Sequence, residues 1–266
     1  MHPQRTKAVI ARQLSQQELN NYFFPRPYPP WAWGLVVSGL ILMGIGPLSQ
    51  LWLVSVAGLA VFLGSLLYLL SIKRANPDDR LYDAWVENQG QFLSQKGLQM
   101  LDISRSQMSD RMLNMRSYVL PGSFDADEYD PKAVRMKCGE DGYWRFSINV
   151  YTYIYPLKDA LAIFKGDINA LDPAFHNDRD EIYSYRFIAG ASITSQSRDK
   201  ILIGGQKFPY RIEQFCLKLN NGETIKLSAA VKAKPPGSMS GIPMIALPDT
   251  GFNRTFNILR KLLLSK

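Results

Sequence analysis

Two patterns of hydrophobicity divide this chain. From Trp31 to Ile72 nearly every position is apolar, and no charged residue occurs between Arg26 and Lys73. In a soluble domain about one residue in four is charged. From Arg116 onward apolar and polar positions alternate with a period of two, which marks strands with two distinct faces. Residues 143–155 show this without a break. Trp144, Phe146, Ile148, Val150 and Ile154 fall on one face, and Tyr143, Arg145, Ser147, Asn149, Tyr151, Tyr153 and Tyr155 on the other. The pattern predicts a half-exposed antiparallel strand with an aromatic outer face. Further strands are expected at about 116–120, 133–138, 160–169, 181–186, 190–196, 200–204, 208–219 and 223–231.

The long apolar stretch reads as two spans, Trp31 to about Leu48 and Leu51 to Ile72. About 20 apolar residues cross ~30 Å of hydrocarbon, so one helix over the whole run is too long. Pro47, Ser49 and Gln50 mark the turn of a tight hairpin. Tyr28, Trp31, Trp33, Trp52 and Tyr68 fall where an aromatic belt sits. Arg5, Lys7, Arg12 and Arg26 precede the hairpin, Lys73, Arg74 and Arg80 follow it, and the loop is uncharged. The positive-inside rule then puts both termini in the cytoplasm. The expected location is the cytoplasmic (inner) membrane, with membrane lipid as a partner. Gly34, Ser38, Gly39, Gly44, Gly46, Gly58 and Gly64 allow close helix approach, either between the two spans or to other helices.

Other helices announce themselves by their ends. Ser15-Gln-Gln-Glu18 is a capping box, and Pro25, Pro27, Pro29 and Pro30 make a stiff approach to the bilayer. Asn76-Pro77 reads as an N-cap and first helical residue of a helix over about 77–100, with Leu81, Trp85, Asn88, Phe92 and Gln95 on one face. After a Pro/Gly/Ser-rich linker at 232–241, Phe252, Phe256, Leu259 and Leu263 share one face of a basic amphipathic helix over about 251–265. They are expected to bury against the sheet; the alternative is a helix lying on the membrane surface through Arg254, Arg260 and Lys261. Four regions follow: a cytoplasmic arm (1–30), the transmembrane hairpin (31–72), a juxtamembrane helical segment (73–115) and a β-rich domain (116–266).

Two hairpins can be read down to their register. In the second, a two-residue Asn221-Gly222 turn would oppose Leu217 and Lys226. The three-residue loop Asn220-Asn221-Gly222 instead pairs Leu217 with Ile225 and Phe215 with Leu227. In the first, the loop Glu140-Asp141-Gly142 pairs Cys138 with Trp144, Met136 with Phe146 and Val134 with Ile148. Both loops end on a glycine where a type I turn plus bulge needs positive φ.

About seven or more antiparallel strands closed by a C-terminal helix outline a pleckstrin-homology (PH)-like domain. The stretches Tyr82-Asp-Ala-Trp85, Val134–Gly139, Asp141–Arg145, Asp180–Arg186 and the hairpin Phe215–Leu227 resemble a group of uncharacterised bacterial membrane proteins with such a domain. The expected fold class is a membrane α-helical hairpin plus an α+β soluble domain with an antiparallel sheet or barrel. The resemblance implies no activity.

Charge and chemistry add little. The formal charge is +8, of which residues 1–30 carry +3 and residues 73–266 carry +5. That excess suits an anionic lipid surface; without a basic run, no nucleic-acid partner is expected. His176 sits in a polar loop and His2 near the start, too few for a histidine zinc site. Cys138 and Cys216 read as reduced, buried strand thiols. Gly204-Gly205-Gln-Lys207 is a hairpin turn, lacking what a phosphate loop requires. Asp125, Asp127, Glu128 and Asp130 open like a calcium loop, but Asp130 and Met136 stand where glycine and glutamate belong. A solvated loop is expected. Tyr151, Tyr153 and Tyr155 present π-faces that nucleic-acid binders use, but packing on the preceding helix or cross-strand pairing accounts for them better. No catalytic, cofactor-binding or metal-binding residue is assigned and no cofactor is expected. The reading is a non-enzymatic, membrane-tethered module presenting its domain to a protein partner or lipid headgroup. The alternatives are an accessory subunit of a membrane complex and an enzyme with an unrecognised site.

Overall fold

The computed structural model describes residues 13–48, 52–120, 128–174, 176–203, 206–233 and 249–265. The turn at Ser49, Asp125 and Asp127, the Gly204-Gly205 turn, residues 234–241 of the linker and His2 lie outside them. The chain divides into two compact units, Arg12–Tyr82 and Asp83–Lys266.

The first unit is helical. Helix α1 (Gln16–Phe23) starts at the expected capping box, with the Glu18 N–H donating to Ser15 Oγ and the Ser15 N–H to the Glu18 carboxylate. Helices α2 (Pro30–Leu48) and α3 (Trp52–Ala75) are the two apolar segments. Among the described residues one helix is long and apolar enough to cross a membrane. The pair cross at Gly39 and Gly58, where an added Cβ would stand 2.9 Å from Gly58 O and 2.8 Å from Gly39 O respectively. Backbone meets backbone there, so only glycine fits. Gly34, Gly44 and Gly64 have nothing within 4 Å of such a Cβ.

The junction after α3 departs from the expected cap. Helix α4 (Asp79–Met100) starts two residues later than Asn76-Pro77 implies, and Asp78 Oδ1 accepts the Leu81 N–H as its cap (2.8 Å). Asn76 is used otherwise. Its side-chain amide brackets Arg26, accepting from its N–H (3.0 Å) and donating to its carbonyl (3.1 Å), as a strand neighbour would. The proline-rich approach is thereby tied to the end of α3. Tyr22 stacks on Tyr82 with ring centres 4.3 Å apart, and its hydroxyl donates to Asp79.

The second unit is mixed α+β with antiparallel sheets. A four-stranded sheet has the order β1-β4-β5-β6, from β1 (Leu113–Tyr118), β4 (Ile148–Pro156), β5 (Ala160–Asn169) and β6 (Arg179–Ser184). A three-stranded meander follows, β7 (Ile188–Ile203), β8 (Gln206–Leu219) and β9 (Thr224–Ala233), then helix α5 (Phe252–Leu264). The short hairpin β2 (Met136–Cys138) and β3 (Trp144–Phe146) lies between β1 and β4. Among the described residues the sheets stay open instead of closing into a barrel. One core gathers both larger sheets and the last helix: Met115, Ile154, Leu161, Phe215, Leu217, Phe252 and Leu259 are all buried in it. Phe256 and Leu263 pack against it partly buried, as their shared face predicts.

The registers follow the parity argument near each turn and depart from it further away. Leu217 pairs with Ile225, Cys138 with Trp144 and Met136 with Phe146, and Gly142 and Gly222 have φ of 79° and 85°. Phe215, however, pairs with Ser228, because a bulge leaves Leu227 out of the ladder. The Leu227 carbonyl accepts instead from Thr152 Oγ1 on the other sheet (3.0 Å). The 143–155 strand also breaks, at Ser147. This serine accepts the Arg135 N–H and donates to the Ala133 carbonyl, turning the chain from hairpin into sheet. Val134 and Ile148 therefore share a core cluster without the expected pairing. A bulge between Arg198 and Ile201 keeps the strands expected at 190–196 and 200–204 as one, β7. Cys138 is exposed, not buried, at the end of β2; Cys216 is buried, and both thiols are free.

Candidate functional site

Strand β4 is buried on both faces, contrary to the half-exposed expectation. Its tyrosines meet helix α4: Tyr153 donates to the Gly90 carbonyl, and Tyr155 to the Ser94 carbonyl at 2.9 Å. The helix comes this close because glycine faces the rings. A Cβ at Gly97 would stand 2.7 Å from Phe164 and from Tyr155 Oη, and one at Gly90 would stand 3.0 Å from Tyr151. The buried stripe of α4 is thus Val86, Gly90, Leu93 and Gly97. Of the face that hydropathy pointed to, Trp85 is buried and Leu81 half-buried, but further along Phe92 is 63% exposed, and Asn88 and Gln95 are exposed too. Hydropathy gives glycine no weight, although glycine sets this contact.

Beside the tyrosine ladder α4 and the sheet part, leaving a cavity of about 660 Å³. Its lining combines Gln91, Gln95 and Asn114 amides with Tyr151, Tyr153 and six charged side chains: Asp83, Glu87, Asp141, Arg105, Arg116 and Arg145. Arg145 is spent structurally. Its Nε and Nη2 donate to Asp83, its Nη1 and Nη2 to Asp141, and Nη1 also to the Tyr143 carbonyl, at 2.6–3.1 Å. The five donors of a guanidinium are all used. Asp141 sits in the β2–β3 turn, where it also accepts the Tyr143 N–H (3.0 Å). Arg145 and these hydrogen bonds hold its carboxyl well below the ordinary carboxylate range.

Arg116, on β1, is held differently. Its Nε and Nη2 converge on the Asn149 side-chain oxygen at 3.0 and 2.7 Å. Asn149 is buried and fixed in turn, because its amide N–H donates to the Phe146 carbonyl (3.0 Å). The guanidinium lies 5.0 Å from the Tyr118 ring and 5.8 Å from the Tyr151 ring. Burial pushes the Tyr118 phenol up to about 12 despite the nearby Arg116 charge, and burial likewise raises Tyr151.

No family model, curated protein or solved structure matches this chain. The site therefore stands on its own chemistry.

The residues weighed from sequence lie elsewhere or play supporting parts. Exposed His176 adjoins a buried carboxyl, Asp167, whose Oδ1 accepts the Asn177 N–H (2.8 Å) and whose pKa burial raises. Asp178 pairs with Lys96 of α4. Glu128 accepts from Asn177, and both it and Asp130 are exposed. Among the described residues no group of three or more His, Cys, Asp or Glu could hold a metal ion. Tyr151, Tyr153 and Tyr155 pack on the preceding helix, as expected. Sequence reading missed Arg116, Arg145 and Asn149. Their signal was polar side chains on strands whose other face is apolar, which an exposed strand would show as well.

Proposed function

We propose that this chain is a membrane-tethered, non-enzymatic interaction module, with α2 and α3 spanning the cytoplasmic membrane as a hairpin and both termini cytoplasmic. The Trp, Leu and Val side chains exposed along α2 and α3 support the membrane assignment, since soluble proteins rarely show so large an apolar surface. The second unit is a PH-like domain, a four-stranded meander and a three-stranded meander followed by a closing helix, with β2–β3 as an insertion. The α4–β4 cavity carries the reading. It is framed by a helix and a sheet locked together by tyrosine hydrogen bonds, as a preformed binding site is. It takes a group from a protein partner or a lipid headgroup.

The test is a photocrosslinking residue in place of Gln91 on the cavity wall, used in native membranes. A protein or lipid adduct specific to position 91, and absent from a probe at exposed Asn257 on α5, supports the module. Equal labelling at both positions sinks it. The outward Gly34, Gly44 and Gly64 favour a second reading, an accessory subunit packed against other helices. A native-gel mass above that of the monomer in mild detergent, reduced by Gly44→Leu, would select it.

A further inference from the structure

Resting on the reading of the second unit as a binding module, we propose that the α4–β4 cavity binds an anionic group, phosphate or carboxylate, on the guanidinium of Arg116. Two arginines of this cavity differ in kind. Arg145 meets two carboxylates with all its donors. Arg116 gives two N–H groups to a single neutral amide oxygen, which orients the guanidinium without neutralising it. A guanidinium has five donors, so three remain. Among the described residues no carboxylate forms an ion pair with Arg116.

The cation is also held in place. The fork on Asn149 and the flanking Tyr118 and Tyr151 rings fix its plane. Little side-chain freedom is left to lose on binding, and a planar fork matches two oxygens of a carboxylate or phosphate. Arg105 lines the same cavity, exposed and with no ion pair among the described residues. Glu87 opposes it. Glu87 lines the cavity and acts electrostatically on Tyr151, as Arg116 does, so an anion seated on Arg116 feels its repulsion. The six charged groups cancel formally. Attraction is therefore local to Arg116 and binding is modest; Glu87 weakens it, as do Asp83 and Asp249, which act on the flanking Tyr118.

The full chain in neutral phosphatidylcholine nanodiscs is titrated with inorganic phosphate against chloride at constant ionic strength, by calorimetry and thermal midpoint. Wild type should bind phosphate in preference to chloride. Arg116→Gln should weaken binding tenfold or more, Arg116→Lys should retain part of it, and Glu87→Gln should tighten it several-fold. No preference for phosphate in wild type, or wild-type affinity in a folded Arg116→Gln, overturns the proposal. If Arg116→Gln does not fold, Glu87→Gln decides: unchanged or weaker phosphate affinity overturns it. Repeating the titration in phosphatidylglycerol nanodiscs identifies the source. Competition by the lipid supports a headgroup, and an unchanged affinity supports a soluble anion. Failure of phosphate binding with a retained adduct at position 91 removes the anion and leaves the module standing.

Discussion

Arg145 of β3 grips Asp83, 62 positions earlier on α4, through two parallel hydrogen bonds of 3.0 and 2.7 Å. The arginine side chain is 5% exposed and the aspartate 52%. The pair is therefore asymmetric. Removing Asp83 leaves a buried cation short of acceptors, whereas the freed carboxylate of an arginine variant can hydrate. Asp83→Ala should cost about 2 kcal/mol by chemical denaturation. Arg145→Met should cost less than the double variant Asp83→Ala/Asp141→Ala.

Asp141 brings a pH dependence. Its folded pKa lies below the ordinary aspartate value, so its contribution is present above about pH 4 and fades as pH falls towards the lower folded value. Denaturation midpoints between neutral pH and pH 3 should therefore fall less steeply in Asp141→Asn than in wild type.

Tyrosine gives the opposite limb. Tyr118 and Tyr185 are each raised to about 12, chiefly by burial, and Tyr151, Tyr153, Tyr155 and Tyr183 are also raised. Stability tied to these neutral phenols is complete below the unfolded value near 10. It is lost as pH climbs through the folded values. Ultraviolet titration should show these six tyrosines ionising only above about pH 11 or together with alkaline unfolding.

The turn glycines have no neighbour within 4 Å of an added Cβ, so backbone strain alone penalises a side chain at φ 79° and 85°. Gly142→Val and Gly222→Val should each cost about 1–3 kcal/mol. Asn at Gly222 should cost less, since Asn tolerates the left-handed region. Equal losses for Asn and Val in thermal melts would contradict this.

The helical hairpin makes a prediction of packing and one of topology. Gly39→Val or Gly58→Val should force α2 and α3 apart, read as lost detergent stability, while Gly34→Val should be tolerated. A reporter active only outside the cytoplasm should stay silent when fused after Ala75. Activity there would reverse the assigned orientation.

Helix α5 docks through Leu259, fully buried, and through the Thr255 hydroxyl, which donates to the Asn114 carbonyl at 2.8 Å. Leu259→Ala should cost about 2–5 kcal/mol and Thr255→Val about 1 kcal/mol. Unchanged stability of Leu259→Ala, with weaker liposome binding, would instead put the helix on a membrane surface.

Local rules were enough for much of this protein. A run of apolar residues without charge marks α2 and α3, Ser15 and Glu18 cap α1, and turn parity sets Leu217 against Ile225 and Cys138 against Trp144. Each rests on residues only a few positions apart, or on an average over a segment, so the sequence carries it directly. Tertiary structure decided the rest. Gly90 and Gly97 choose the buried face of α4 because Tyr151, Tyr155 and Phe164 lie beneath them. The bulge at Leu227 goes with the Thr152 hydroxyl that reaches its carbonyl from the other sheet. Arg145 becomes a structural residue and Arg116 an open one only because two carboxylates fold towards the first and a neutral amide towards the second. An arginine's charge is local, but what balances it depends on residues the fold brings from far along the chain.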